Sequence, residues 1–336
     1  KEVVYVQKLG FTSDASASAS TNDPIIRMLD ADPKFNITVI ETDGAGTGLD
    51  LTGYDLVIAQ ETFGSGDDIW KTGPLAPKTI AIPVIFNKTW ALRDGRAISS
   101  AGAAVELSAD TKVSIDPSKQ TSSLFNGIDF AGGNDIMLYN ELADNTGAAG
   151  TNAIDVLTNL EISNTGTNLA TVSDVTTSPD TSIIINIIPP GTQLGTDATD
   201  VTMSPMVAFA FNYGAIIRGD GGNITSEALT IWRNAAYLLT GQPAPSTLYD
   251  NPDYVTLSID KVGEVSNVSS NLRAIGNTVY VSDVKATTEV KIYSLTGALV
   301  KSFKTNVNTN FEFRSGLWIA TIKTFEGEKA VKFITN

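Results

Sequence analysis

Short runs of almost uninterrupted apolar residues constrain this chain more than any other feature. They are Val3-Val4-Tyr5-Val6, residues 36–42 (NITVIET), residues 55–60 (DLVIAQ) and residues 79–86 (TIAIPVIF). A strand with one face in water alternates apolar and polar side chains. A strand that is apolar at consecutive positions must be covered on both faces. Between the first two runs, Asp23-Pro24 opens a helix with the proline in its first turn, and Ile25, Ile26, Met28 and Leu29 give it an apolar face. The remaining crossovers are short or irregular. The expected fold class is therefore α/β, with an open, mostly parallel sheet.

The middle of the chain is richer in strand patterns, at residues 104–107, 111–115, 136–139, 169–175, 181–188 and 207–213, separated by Asn- and Gly-rich turns. Residues 226–240 (SEALTIWRNAAYLLT) form the strongest helix signal. Thr225 is placed to cap its N-terminus, Glu227 lies in the first turn and Gly241 follows its end. Residues 242–253 (QPAPSTLYDNPD) are Pro-rich and polar, the texture of a domain junction. Beyond them strands recur at close spacing (YVTLSID, NTVYVSDV, EVKIYSLTG, ALVKSFKT, NFEFRSG, LWIATIKT, GEKAVKFIT), which predicts a small all-β sandwich. The expected domains are 1–248 and 253–336, with the boundary near Asn251.

Composition narrows the chemistry. The 336 residues include no His and no Cys, so Ser-His-Asp and Cys-His nucleophiles, thiolate chemistry and zinc sites of the usual N/S kind are excluded. A net charge of -14, without a basic stripe, argues against a nucleic-acid partner. No apolar run approaches the roughly 20 residues that span a bilayer as a helix. The chain opens directly on a strand-like segment, the reading of a mature form or of a chain without a leader.

The tail carries Val290-Lys291-Ile292-Tyr293-Ser294-Leu295-Thr296-Gly297, then Leu299-Val300, Ser315-Gly316-Leu317-Trp318-Ile319 and Glu328-Lys329-Ala330-Val331-Lys332-Phe333. In this progression it resembles the C-terminal sorting domains of the type IX secretion system, with Trp318 where the family usually has Tyr. That resemblance implies export to the surface of a Gram-negative cell, or secretion. The first 240 or so residues are similar to the class I glutamine amidotransferase-like superfamily, near its ThuA-like branch. The carriers are the opening strand, DPIIRMLDADPKFNITVIET, GYDLVIAQE and SEALTIWRNAAYLLTGQ. The resemblance implies a flavodoxin-like sheet. Its active members need a Cys and a His that this chain lacks, so the amidotransferase activity does not carry over.

In open α/β sheets ligands sit beyond the carboxyl ends of the strands. That rule selects Gly10 to Thr12, Gln60-Glu61-Thr62 and Asn87-Lys88-Thr89-Trp90, with Arg93 and Asp94 added. Glu61, Asn87, Lys88, Trp90, Arg93 and Asp94 are the expected ligand-binding set, a polar cleft with an aromatic floor suited to a sugar. The bland reading of the same residues is helix capping and cover for the sheet edge. No catalytic residue, metal or cofactor is expected, and whether Ca2+ binds stays open. The expected function is non-catalytic binding of a glycan or other polar ligand by a surface protein. The alternatives are a carboxylate-dependent glycan hydrolase, using a pair drawn from Glu61, Asp67, Asp68 and Asp94, or a structural component that binds another surface protein. The glycine-rich stretch 43–48 lacks dinucleotide-binding spacing, and 218–223 (RGDGGN) lacks an EF-hand ligand series, so both read as turns.

Overall fold

The computed structural model describes residues 1–10, 23–93, 95–96, 104–144, 150, 152–158, 166–254, 268–294, 298–325 and 327–335. The chain divides into two compact units, Lys1–Val255 and Thr256–Asn336.

Twelve strands and four α-helices are described in the first unit. The strands are β1 (Glu2–Lys8), β2 (Asn36–Thr42), β3 (Leu56–Ala59), β4 (Val84–Phe86), β5 (Ala104–Ser108), β6 (Lys112–Ile115), β7 (Asp135–Met137), β8 (Ile154–Thr158), β9 (Thr167–Asn168), β10 (Ala170–Thr171), β11 (Ile185–Ile188) and β12 (Met206–Phe209). The helices are α1 (Pro24–Asp30), α2 (Asp68–Lys71), α3 (Tyr213–Ile217) and α4 (Ser226–Leu239). Seven strands form the main sheet in the order β2-β1-β3-β4-β12-β11-β9. Pairing is parallel from β2 through β12 and antiparallel at β12-β11 and β11-β9. Smaller antiparallel sheets comprise β10-β6-β7 and β5-β8.

The apolar runs are continuous because both faces of the sheet are covered. Val3, Tyr5, Leu56, Ile58, Ile85, Val207 and Phe209 point into one core, shared with α1, α3 and α4. Their neighbours Val4, Val6, Val57, Ala59, Val84, Phe86, Met206 and Ala208 point into the other. That second face is covered mainly by loops, anchored by Trp70 against Phe63 and Phe86 at ring-centroid distances of 5.5 and 5.0 Å. Each fully buried Val, Ile or Leu contributes about 1.5–3 kcal/mol relative to exposure, so the two cores dominate the stability of the unit.

The sheet is mostly parallel as expected, with fewer helices than a layered α/β fold usually carries. Several element boundaries differ from the sequence reading. The run 79–86 is a strand only from Val84. Pro83 has no N–H to place in a ladder, although its carbonyl accepts the Val57 N–H at 2.9 Å. Run 169–175 keeps only β10, and run 207–213 ends at Phe209. Asn212 then accepts the Gly214 N–H at 2.9 Å through Oδ1 and starts α3, a helix that was not expected. Strand β8 was not expected either.

Helix α4 follows its predicted capping. Thr225 Oγ1 accepts the Ala228 N–H at 3.0 Å and donates to the Met137 carbonyl at 2.7 Å. The helix is buried on nearly every side. Residues 242–253 pack back over it: Arg233 Nη2 donates to the Thr247 carbonyl at 2.5 Å, and Thr230 Oγ1 accepts the Tyr249 N–H at 2.8 Å. Asn251 is buried, and its Nδ2 donates to Gly221 and Ile224 carbonyls at 3.1 and 2.8 Å. This stretch is part of the first unit.

The second unit contains β13 (Asn271–Ile275), β14 (Thr278–Ser282), β15 (Thr288–Tyr293), β16 (Leu299–Thr305), β17 (Thr309–Glu312), β18 (Gly316–Thr324) and β19 (Gly327–Thr335). Two antiparallel sheets, β13-β14-β17 and β16-β15-β18-β19, enclose one core of Leu272, Val279, Val281, Val290, Ile292, Trp318, Ala320, Ile322 and Phe333. That arrangement is a β-sandwich. Trp318 donates to Thr335 Oγ1 at 3.1 Å and carries Arg314 over its ring at 4.8 Å. Gly316 (φ +151°) lies against that indole, where a Cβ would come within 2.9 Å of the ring. Of the expected strands, YVTLSID falls almost wholly outside the described residues.

Candidate functional site

Strands β3 and β4 end side by side, and their carboxyl ends deliver Glu61 and Lys88 to one place. Lys88 Nζ lies 2.8 Å from Glu61 Oε1, with both side chains nearly buried. The other oxygen, Glu61 Oε2, accepts the Tyr213 N–H at 2.7 Å, so β12 and α3 hold the carboxylate from a third side. A buried carboxylate with two such donors is held in one orientation.

Asp155, on β8, completes the cluster. Its carboxyl lines the same cleft as that of Glu61, and its Oδ1 accepts from Asn152 Nδ2 at 3.3 Å. Burial first, and then the neighbouring Glu61 charge, push its pKa up to about 8 against the opposing pull of Lys88. Of the cluster's acids, Asp155 is thus the one pushed toward its protonated form. Thr89 Oγ1 donates to the Asp155 main-chain carbonyl at 2.5 Å, which ties the residue after Lys88 to the strand bearing the acid.

A cleft of about 310 Å³ opens over this cluster, lined by Glu61, Ser65, Lys88, Trp90, Leu107, Asp144, Asn152, Asp155 and Asn212. Trp90 is half-buried in a short 3-10 turn, Thr89–Leu92, with the Arg93 guanidinium 5.6 Å from its ring centroid. Tyr139 is fully buried nearby, and its hydroxyl has no hydrogen-bond partner among the described residues. Burial, and then the charges of Glu61 and Asp155, hold it well above the ordinary tyrosine range.

A second buried network lies next to this floor. Asp23 caps α1 by accepting the Ile25 N–H at 2.8 Å, while its Oδ2 accepts from the Tyr5 hydroxyl and from Gln60 Nε2 at 3.1 Å. Gln60 Oε1 in turn accepts the Glu61 N–H at 2.8 Å. The network links the start of α1 to the backbone of the cleft residue.

Of the expected ligand-binding set, Glu61, Lys88 and Trp90 share the cleft. Asn87 is buried, its Oδ1 taken by Trp232 Nε1 at 3.3 Å, and it does not line the cleft because it continues the inward side of β4. Arg93 reaches the cleft only through Trp90. Asp94, Phe11 and Thr12 lie outside the described residues. Asp67 and Asp68 do not line the cleft. Asp67 accepts from Gly64 N–H at 2.9 Å and pairs with Lys8 at 2.9 Å, while exposed Asp68 lies 3.8 Å from Lys71. Thr62 Oγ1 accepts the Lys8 N–H at 2.8 Å.

The sequence reading missed Asp155, Asn152, Asn212, Asp144, Ser65 and Leu107. An acid inside the apolar run Ile154-Asp155-Val156-Leu157 was the available signal for Asp155. The two glycine-rich stretches are turns. Asp43 Oδ1 accepts the Ala45 and Thr47 N–H groups at 3.0 and 2.9 Å, and Arg27 Nη2 donates to the Asp220 carbonyl at 2.7 Å. Among the described residues no group of three or more acidic side chains is arranged to hold a metal ion.

No family model matches the chain. No curated protein matches it either. Among solved structures, a protein described as ThuA-like from Parabacteroides merdae is similar with a TM-score of 0.36 and 10% sequence identity, over 75% of this chain and 98% of that one.

Proposed function

We propose that the first unit binds a hydroxyl-rich ligand, a carbohydrate, in the cleft over Glu61, Lys88 and Asp155. One observation carries this reading: a half-buried indole, Trp90, borders a cleft otherwise lined almost entirely by hydrogen-bonding groups. Sugars present apolar C–H faces and a rim of hydroxyls, and such a surface matches both parts. The β-sandwich unit, by its tail motifs, serves export to or retention at a Gram-negative cell surface. A glycan array with the full-length protein, followed by titration of any hit, tests the binding. Trp90→Ala is expected to weaken binding at least tenfold while leaving the fold intact. Unchanged affinity in that variant rejects the reading.

A second reading, hydrolysis, has one observation in its favour: Asp155, a buried carboxyl with a raised pKa, lines the same cleft as a second carboxyl, Glu61. Glycoside hydrolysis with two carboxyls needs them roughly 5 to 10 Å apart, with substrate between. Here both oxygens of Glu61 are already engaged, by Lys88 and by the Tyr213 N–H. Binding without turnover fits that geometry better. Sugar release that is abolished by Asp155→Ala would reverse the order of the two readings.

A further inference from the structure

The charged side chains that line the cleft are three acids, Glu61, Asp144 and Asp155, and one cation, Lys88. Lys88 Nζ is committed to Glu61 Oε1 at 2.8 Å, and the Tyr213 N–H takes the other oxygen of that carboxylate. With this ion pair balanced, the charge that remains on the lining is acidic, from Asp155 on β8 and from Asp144 beyond β7. The Arg93 guanidinium lies over Trp90 and does not itself line the cleft. Resting on the carbohydrate reading above, we propose that the ligand is an amino sugar with a free, protonated amine, received by Asp155 and Asp144 beside Trp90.

An ammonium group matches this lining on several counts. Asp155 is almost wholly buried, and its Oδ1 accepts from a neutral amide, Asn152 Nδ2, at 3.3 Å. Among the described residues the nearby lysine is paired with Glu61 instead. A ligand cation would therefore supply the close counter-charge that this carboxyl lacks, and charge-assisted bonds of that kind are about twice as strong as neutral ones. Burial and the Glu61 charge hold the Asp155 pKa up to about 8, so its ionised form is the one that such a cation stabilises. The indole of Trp90 adds attraction for the same group through its ring face. Acylation of the amine removes the charge, and a carboxylated or sulfated sugar sets like charge against both acids. The acids of the described residues are not arranged to hold a metal ion, so the cation that fits is an organic one.

The test is isothermal titration of the full-length protein with a glucosamine trimer and with its fully N-acetylated counterpart. It is run at about pH 6.5, where a sugar amine is largely protonated. The readout is the ratio of the two affinities. A preference of about tenfold or more for the free amine is expected. Raising the salt from about 0.05 to 0.5 M should shrink it. Asp155→Asn and Asp144→Asn, each close in shape to the residue replaced, are expected to remove most of the preference. A variant that folds poorly lowers both affinities together and leaves the ratio, so a structural fault does not mimic the effect. Asp144 is only half-buried, which keeps the test open should the change at Asp155 prevent folding. Equal affinities, or tighter binding of the acetylated trimer, overturn the amine assignment and leave the carbohydrate reading standing. Binding of neither trimer also overturns it, and the glycan array then decides the carbohydrate reading separately. A preference retained in both variants overturns the role of the two acids.

Discussion

Replacing Asp23 by alanine removes three interactions at once, and the structure gives the size of each. The helix cap at Ile25 is one, worth about 1 kcal/mol. The Gln60 Nε2 donor is the second; left buried without an acceptor, it costs about 1–3 kcal/mol. The Tyr5 hydroxyl is the third, costing between about 0 and 3 kcal/mol according to how fully the neighbouring Tyr213 hydroxyl replaces the lost acceptor. The sum centres at about 4.5 kcal/mol, which for a unit of this length lowers Tm by about 9–18 °C. The loss also depends on pH. Burial raises the pKa of Asp23 above the ordinary carboxylate value despite its three donors. Below that ordinary value both the folded and unfolded chains carry the proton. Above it the unfolded chain has released the proton while the folded chain retains it, so wild-type stability falls as pH rises toward the folded pKa, by about 1.4 kcal/mol per pH unit. The alanine variant lacks this slope. Calorimetry at about pH 5 and pH 8 should therefore show a large Tm gap at the lower pH and a smaller one at the higher. A loss below about 3 °C at pH 5, or a gap that widens with pH, would refute the reasoning.

Thr225→Ala removes both the cap of α4 and the bond to the Met137 carbonyl, and denaturant unfolding should register a loss of about 1–3 kcal/mol. Gly127→Ala tests the packing of residues 242–253. Gly127 adopts φ +88°, and a Cβ there would sit 2.4 Å from the Thr247 carbonyl group. Limited proteolysis should then cut the 242–253 stretch faster than in wild type, and equal cutting would show that the segment does not depend on that contact.

The legible parts of this fold were those in which local pattern and tertiary burial agree. Strands β1, β2 and β3 lie on continuous apolar runs, and α1 and α4 begin where Asp23 and Thr225 cap them. The misread parts are those in which packing overrides pattern. Ile80 is buried as a loop residue before Pro83, so apolarity there marks a covering layer and not a strand. The run 207–213 reads as one strand, yet it stops at Phe209 and Asn212 caps a helix. For the cleft, strand ends selected Glu61, Lys88 and Trp90, since the parallel sheet fixes where those residues emerge. Asp155 arrives from a separate pair of strands 94 residues beyond Glu61, and no spacing along the chain encodes that meeting.

The order of strands in the main sheet bears on how the chain is made. Strand β4 is completed at Phe86, but the strand that pairs with its far edge, β12, begins at Met206, about 120 residues later. During synthesis at about 5–20 residues per second, that edge of Val84-Ile85-Phe86 stays open for roughly 6–24 s. An unpaired apolar edge is a template for any passing strand, from this chain or another. Neither proline nor charge interrupts the three residues themselves. The half-made chain therefore needs shelter, from a chaperone or from its own intervening segments, until β12 is delivered.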